Sequence, residues 1–475
     1  MKTFTHNIID SFRSKKVDYG DVRVVEEENE ILMIKNGVLE AVTRSSDIGF
    51  GVRVLKDSGW GFSSSNIIKP REAAVVTAAA LSIARASARV RGEPVVLAPV
   101  QPQKGTYRSS VKINPLKVPI SKKIDLLFAC DEALRIDKRI KVSTAFLTSR
   151  SIKVHFASTD GSAVVQEFTF VGGGLKVFAM DKGEMQIRSY EDYSQAGFEF
   201  IEAMKLKHRA PCVAEEALIL LKAKPCPSTK TTLVLDSSQM VLQVHESCGH
   251  PTELDRVLGT EASYAGTSFM TVDKYNRLQY GSGAVSIVAD ATVPSGLGTF
   301  GWDDEGIPAQ RVYLIKEGLF VGYQTSRETA PRIRKPSSGA MRADGWNRIP
   351  LIRMTNINIE PGDWKLEDMI TDTKDGIYMT TNKSWSIDDK RLNFQFGCEY
   401  ARLIKNGKLG AVVKNPTYAD ITPRFWNSCD AVGNKNEWRL YGVPNCGKGE
   451  PGQSAYVGHG TAPARFRCVP VGIAK

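Results

Sequence analysis

The side chains best suited to chemistry lie in one short run, His245-Glu246-Ser247-Cys248-Gly249-His250. Two imidazoles can bind a transition metal, and a carboxylate directly after the first can act as a general base towards water. The common zinc-peptidase pattern, HExxH, places its two histidines on one face of a helix. Here the histidines are five residues apart, so a regular α-helix would rotate them by about 140° relative to each other. Two such side chains could not both reach one ion without a distortion.

The sequence around the run supplies that distortion. A helix is predicted over Gln239–Cys248. Gly249 lacks a Cβ and can leave α-helical geometry, and Pro251 cannot extend the hydrogen bonds of the helix. We therefore predict that the helix unwinds or bulges at His250, and that this side chain turns back towards His245.

A hydrolytic zinc site needs a third protein ligand, for which there are three candidates. Cys248 lies between the histidines, where its direction would compete with that of Glu246. Cys446 lies in a predicted glycine-containing turn, next to Lys448, whose charge would lower the pKa of the thiol. His459 stands between two glycines and is predicted to be equally exposed. The residues themselves do not choose among the three.

A second group of possible metal ligands is the acidic run Asp303-Asp304-Glu305. It directly precedes Gly306-Ile307-Pro308, a sequence typical of a turn. Acidic residues at a turn are usually solvated. We therefore favour a solvated turn over a second metal site.

The elements that must position these residues indicate an α+β protein. Ile31–Lys35 and Val38–Val42 flank Asn36-Gly37, which is typical of a hairpin with a type I′ turn. Helices are predicted over Glu72–Val90 and Lys123–Ile136. Two prolines in Lys224–Ser228 indicate a linker. We predict an N-terminal α+β domain over residues 1–223 and a C-terminal catalytic domain, rich in antiparallel strands, over residues 224–475.

Composition excludes several classes of protein. With 42% hydrophobic and 24% charged residues among 475, the chain is not largely disordered. It shows no stretch of about 20 apolar residues for a membrane span and no signal peptide, so a cytoplasmic protein is expected. The net charge of +11 is scattered, without a nucleic-acid-binding motif, and nucleic acid is an unlikely partner. Eight dispersed cysteines indicate reduced thiols rather than a disulfide framework.

The sequence resembles the TldD/PmbA family of metalloproteases, specifically its TldD branch. The resemblance covers nearly the whole chain and rests on several motifs in the same order: His245–His250 followed by Pro251-Thr252-Glu253, Ile48–Val54 with Gly59–Phe62, Asp303–Ala309, Arg353–Asn356, and Cys446-Gly447-Lys448 with Gly452-Gln453.

This resemblance implies a zinc ion held by His245, His250 and Cys446, with Glu246 as the general base. It also implies a mixed α/β N-terminal domain, a mostly antiparallel C-terminal domain, and a dimer that encloses the active site. The dimer would be a homodimer or a heterodimer with a PmbA-type subunit that lacks the histidine motif. Because this chain keeps the motif, it resembles the catalytic subunit, and its substrates would be short or unfolded peptides.

We therefore predict a zinc-dependent metallopeptidase. Two other interpretations stay open at the level of sequence. One is a non-catalytic scaffold or a gyrase-modulator-like protein with structural zinc; for the motif taken alone, a helix end with two hydrogen-bonded histidines and an exposed glutamate is a separate alternative without a metal. The other is a nucleic-acid-binding protein that uses the positive charge. Neither explains a glutamate directly after the first histidine.

Overall fold

A seven-stranded sheet dominates the first half of the chain. The computed structural model describes residues 1–90 and 93–473. The strands of the sheet are β1 Tyr19–Lys35, β2 Val38–Lys56, β3 Gly59–Ser65, β4 Lys104–Arg108, β5 Ile140–Ser158, β6 Ala163–Asp181 and β7 Glu184–Ser194. Their order is β3-β2-β1-β5-β6-β4, with β7 also paired to β6. Only the β4–β6 pair is parallel among these strands.

Five helices accompany this sheet: α1 Lys2–Ser14, α2 Pro70–Ala88, α3 Ile120–Leu134, α4 Phe198–Met204 and α5 Leu206–Lys222. Side chains alternate between the two faces of each strand. Val24, Phe50 and Val52 pack against α1 and α2, whereas Leu147 and Leu175 pack against α3 and α5. The alternate residues of β1, β5 and β6 point away from these helices, towards the second half of the chain.

The second half is built around a closed ring of strands. Sixteen strands are described there: β8 Lys224–Pro225, β9 Thr229–Leu235, β10 Ile287–Asp290, β11 Arg311–Lys316, β12 Leu319–Phe320, β13 Met341–Arg342, β14 Leu351–Ile352, β15 Ile357–Ile359, β16 Asp375–Ile387, β17 Asn393–Lys405, β18 Lys408–Lys414, β19 Pro416–Ile421, β20 Cys429–Val432, β21 Arg439–Lys448, β22 Gln453–Thr461 and β23 Ala464–Ile473. The order β16-β9-β23-β19-β17 closes because β16 also pairs with β17. The β21–β22 hairpin forms a separate ribbon.

Short helices connect these strands. They are α6 Ser237–Val244, α7 Leu254–Val257, α8 Leu366–Thr371 and α9 Thr422–Asn427. The 3₁₀ turns are Pro115–Lys117, His250–Thr252, Val272–Lys274 and Ala330–Ile333, and His245–Gly249 is a π-helical turn. Met240 and Val244 of α6 are fully buried in the largest core of the protein, which also contains Trp426 and Phe466. This core fixes the helix that leads into the histidine motif.

The predicted α+β class is confirmed, with a mixed N-terminal part and a mostly antiparallel C-terminal part. The hairpin at Asn36-Gly37 is confirmed, since β1 and β2 pair on either side of it. The predicted helices over Glu72–Val90 and Lys123–Ile136 correspond to α2 and α3. The boundary between residues 223 and 224 stays a prediction. In the part of the chain that the structure describes, no helix is both long and apolar enough to cross a membrane.

The acidic run at residues 303–305 is not a solvated turn, so that prediction is wrong. Asp303 and Glu305 are buried. Asp303 accepts hydrogen bonds from the backbone N–H groups of Glu305 and Ile307, both at 2.9 Å. Glu305 lies 3.5 Å from Arg53 of the N-terminal sheet. The run therefore links the two halves of the chain through ion pairs, which a solvated turn could not do.

A second ion pair also links the two halves of the chain. Asp304 accepts a 3.0 Å hydrogen bond from Arg23 of β1 and a 2.7 Å bond from the backbone of Ala343. The carboxylates of the run are thus engaged by arginines and by backbone N–H groups. This pairing offers no reason to assign a metal ion to them.

Candidate metal centre

The histidine motif lies where the helix changes its winding. Asp236 caps α6 by accepting a hydrogen bond from Ser238 N, and α6 ends at Val244. The next turn is π-helical, with the backbone N–H of His250 donating to His245 O. A π turn joins residues five apart, so the two imidazoles come together, with ring centroids 4.9 Å apart. The predicted bulge at His250 is confirmed.

Gly249 contributes in a different way from the one predicted. Its backbone stays in the right-handed helical region, at φ −58°. A Cβ on this residue would lie only 2.2 Å from Met354 Sδ. The glycine is therefore required for close packing beneath the turn, rather than for an unusual backbone conformation.

A hydrogen-bond chain sets the orientation of His245. His459 Nδ1 donates to Ile357 O at 3.2 Å, which leaves its Nε2 as an acceptor. His245 Nδ1 donates to that atom at 2.8 Å. The Nε2 atom of His245 therefore carries a free electron pair for a metal. His459, predicted to be exposed, is fully buried.

His250 is oriented in the same manner by a carboxylate. Its Nδ1 donates to Glu253 Oε2 at 2.8 Å, which leaves Nε2 free. The other oxygen of Glu253 lies 3.4 Å from the buried ammonium of Lys448. Burial lowers the pKa of His245, and it lowers that of His250 well below the usual value. Both rings are thus neutral, the form that binds metal.

Cys446 occupies a strand and not the predicted turn. It lies in β21 beside a register shift between Val443 and Cys446, and it is 3% exposed. Burial raises the pKa of its thiol. A proton shared with His250 and the charge of Arg353 lower that pKa by more, and with His250 neutral the charge of Arg353 still favours the thiolate. The predicted contribution of Lys448 is not the cause, because that ammonium contacts buried carboxylates instead.

These three side chains converge. The ligand atoms of His245, His250 and Cys446 all lie within 4.8 Å of one another, and Cys446 Sγ is 3.6 Å from His250 Nε2. Ligand atoms around a tetrahedral zinc lie ~3.5 Å apart. Two neutral imidazoles and a thiolate of lowered pKa are donors that suit zinc. Cys248 lies in the hydrophobic core and is not part of this group.

Glu246 is buried beside the cluster and is not exposed to solvent. Arg391 Nη1 donates to Glu246 Oε2 at 2.7 Å. The contact uses one carboxylate oxygen and leaves Oε1 for another partner. The pair lies next to His245, so a carboxylate and a guanidinium both border the group of ligand atoms.

Three contributors to the site were missed in the sequence: Arg391, Glu253, and His459 in the role of hydrogen-bond partner. Arg391 is 145 residues from Glu246, and no local pattern points to it. Glu253 had a signal, because it follows His250 by three residues and can reach the same face of a helical turn.

Sequence comparisons cover almost the whole chain. Family models described as PmbA/TldA metallopeptidase domain 1, central domain and C-terminal domain match residues 20–86, 113–224 and 228–467. A metalloprotease of Methanocaldococcus jannaschii is 31% identical over 93% of this chain and 94% of its own length. A metalloprotease TldD homolog of Haemophilus influenzae is 27% identical, covering 98% and 95%. A zinc metalloprotease TldD homolog of Saccharolobus solfataricus is 19% identical, covering 91% of each.

Solved structures show the same fold. A Thermotoga maritima protein described as a modulator of a DNA gyrase aligns with a TM-score of 0.80 at 18% identity, over 99% of both chains. TldE of Thermococcus kodakarensis aligns with a TM-score of 0.73 at 18% identity, over 99% of this chain and 100% of its own. At this identity the likeness concerns the fold alone.

Proposed function

Because this chain belongs to the PmbA/TldD metallopeptidase family, we propose that it is a zinc-dependent peptidase that hydrolyses short or unfolded peptides. The observation that carries the proposal is the convergence of three ligand atoms beside a buried glutamate. The two imidazoles have free Nε2 atoms because both Nδ1 atoms are engaged. Such a site has three protein donors, so a tetrahedral zinc would keep its fourth position for water, as in hydrolytic zinc centres.

His245, His250 and Cys446 would hold the zinc. When bound, zinc supplies a Lewis acid that lowers the pKa of water and polarises the scissile carbonyl. His459 and Glu253 keep the two imidazoles in the binding tautomer. These partners keep the rings in place, and burial favours the neutral rings before the metal arrives.

Glu246 would be the general base. Its Oε1 accepts a proton from the attacking water as the new carbon–oxygen bond forms. The same carboxyl group then delivers the proton to the amide nitrogen as the carbon–nitrogen bond breaks. Arg391 would position the carboxylate through Oε2 and leave Oε1 for that proton.

The assembly and location are part of the proposal. We infer a homodimer, or a heterodimer with a PmbA-type subunit, in the cytoplasm. A peptide would bind in an extended form, because main-chain pairing gives affinity without sequence preference. Light scattering of the protein alone, and of the protein mixed with a PmbA-type partner, distinguishes the two assemblies.

The deciding experiment combines metal analysis with peptide digestion. We expect one zinc per chain, and peptide cleavage that a chelator stops and added zinc restores. Glu246→Gln should keep the zinc and lose cleavage by about 10²- to 10⁴-fold. Cleavage by the zinc-loaded Glu246→Gln protein at the parental rate refutes the assigned base. Full zinc content without any cleavage would favour a non-catalytic scaffold with structural zinc.

A further inference from the structure

A cavity of about 110 Å³ lies between the two halves of the chain. One wall is the open face of the N-terminal sheet, where three neighbouring strands each contribute alternate residues. These are Arg23, Val25 and Glu27 of β1, Arg150, Ile152 and Val154 of β5, and Gln166, Phe168 and Phe170 of β6. This wall is therefore largely apolar and aromatic, with charges at its edge.

The opposite wall adjoins the metal centre. Arg342 donates through Nη1 to Tyr456 O at 2.7 Å and through Nη2 to Met354 O. Tyr456 directly follows the register partner of Cys446 in the β21–β22 ribbon. Met354 packs against Gly249 in the turn that carries the histidines. The wall of the cavity therefore adjoins the strand that pairs with Cys446 and the residue packed beneath the histidine turn.

Arg342 is a cation with no carboxylate in direct contact, although the charges of Cys446, Asp304 and Glu253 lie near enough to favour its protonated form. Among residues 1–90 and 93–473, no carboxylate lies within ion-pair distance of its guanidinium, and its buried Nε atom has no hydrogen-bond partner. Burial, and then the charge of Arg353, lower its pKa to about 10. A partly buried charge that contacts only neutral hydrogen-bond acceptors is still costly. A carboxylate supplied by a ligand would relieve that cost.

The other charges of the cavity are already engaged. Arg150 binds both carboxylate oxygens of Glu27, at 3.0 and 2.7 Å. Arg23 pairs with Asp304 at 3.0 Å. Asp344 accepts a hydrogen bond from a backbone N–H at 2.9 Å. Asp344 is the carboxylate of this wall that could pair with an ammonium group of a ligand. The alternative to a peptide carboxylate in the cavity is therefore a peptide amino terminus.

We propose that this cavity binds the last residue of a peptide substrate, with a carboxylate on Arg342 and an apolar side chain against Ile152, Phe168 and Phe170. The inference rests on the proposed peptidase function and adds a substrate class, peptides that end in a large apolar residue with a free carboxylate. The carboxylate could also come from an acidic side chain, and the test separates the two sources.

The test is a binding measurement that needs no turnover. Zinc-loaded Glu246→Gln protein is titrated by calorimetry with one pentapeptide, four alanines followed by phenylalanine. The peptide is used with each terminus free or blocked, four forms in all. Blocking the carboxylate should weaken binding by about 10- to 100-fold, the range for a hydrogen bond to a charged group. Blocking the amino terminus should change little.

Variants tie the effect to the cavity. In the Glu246→Gln background, Arg342→Gln should abolish the difference between free and amidated peptides, whereas Arg332→Gln, at an exposed arginine, should keep it. Ile152→Trp, which fills the sheet side of the cavity and leaves Arg342 unchanged in sequence, should weaken binding of the phenylalanine peptide about 10-fold. It should leave a peptide ending in glycine unchanged. This second variant keeps the inference testable if Arg342→Gln fails to fold.

The outcomes are separable from the proposed function. Equal affinity for free and amidated peptides overturns the inference, even if the wild-type protein cleaves peptides. A dependence on the free amino terminus alone also overturns it, in favour of Asp344. A separate peptide, ending in glutamate, is compared with and without an amidated carboxyl terminus. If its two forms bind equally tightly, the result supports the site and assigns the bound carboxylate to the glutamate side chain. Absence of cleavage by the wild-type protein overturns the proposed function but leaves the binding result intact.

Discussion

The choice between Cys446 and His459 as the third ligand gives the sharpest prediction. His459 contacts the cluster only through a hydrogen bond to a ligand, because its Nε2 accepts from His245 Nδ1 at 2.8 Å. His459→Ala leaves that N–H buried without an acceptor, at a cost of about 1–3 kcal/mol. We expect the zinc affinity of His459→Ala to fall by about 10- to 100-fold, the usual effect of removing a residue that hydrogen-bonds to a metal ligand.

Cys446→Ala removes a ligand atom outright. Structural zinc sites bind with about 10–16 kcal/mol in total, so one of three or four donors contributes roughly 3–4 kcal/mol. The expected loss of affinity is therefore about 10²- to 10³-fold, larger than for His459→Ala. The two variants also differ in the ligand set that remains, because Cys446→Ala removes the sulfur ligand and His459→Ala keeps it.

The assay is competition for zinc against a chelator of known affinity, with His208→Ala, at an exposed histidine, as the matched control. Cobalt substitution adds a spectroscopic measurement. The thiolate-to-cobalt charge-transfer band should be present in the parent and in His459→Ala, and absent from Cys446→Ala. If Cys446→Ala keeps the band and full metal content while His459→Ala loses both, the ligand assignment is refuted.

Three further predictions concern charges around the site and the fold. Arg391→Met should keep the zinc but lower kcat about 10-fold or more, because Glu246 loses the cation that positions it; unchanged kcat contradicts this role. Lys448→Met should lower the free energy of unfolding by about 3–5 kcal/mol, because three buried carboxylates lose their shared ammonium. Urea denaturation measures this free energy. A decrease below about 1 kcal/mol would contradict the role of Lys448. Burial raises the pKa of Asp192 to about 6. The folded protein therefore has its full stability with respect to this group below about pH 4, where the carboxyl is protonated in both the folded and the unfolded chain. It loses stability as the pH rises through 6 and the buried carboxyl must ionise. Asp192→Asn should therefore match the parent at low pH and exceed it by roughly 1–3 kcal/mol at pH 8, and equal unfolding curves at both values would speak against the shift.

Much of the local structure followed from the sequence. Asn36-Gly37 fixed a hairpin because few other residue pairs accept positive φ at both turn positions, and both have it here. Asp236, directly before α6, is a residue type that favours the N-cap position, and its side chain caps the helix. Five-residue spacing between the histidines, with a glycine and a proline beside them, indicated a distorted turn. These features depend on neighbours a few residues away, so a short window contains their causes.

Errors arose where the environment came from distant parts of the chain. Glycines around Cys446 suggested an exposed turn, yet pairing with β22 makes the segment a buried strand. Three acidic residues suggested solvent, yet Arg23 and Arg53 from a different sheet pair with Asp304 and Glu305, and backbone N–H groups hold the buried Asp303. Lys448 was expected to act on Cys446, but the buried carboxylates around it determine its contacts.

The sequence by itself therefore determined which chemical groups are available and how two imidazoles and a carboxylate are arranged along one helical turn. Only the tertiary structure decided which distant sulfur completes the group, which histidine stands behind it, and which arginine holds Glu246. The physical reason is that burial, the tautomer of an imidazole and the partner of a charge depend on atoms within a few ångströms in space. Here those atoms come from residues more than a hundred positions apart in the chain.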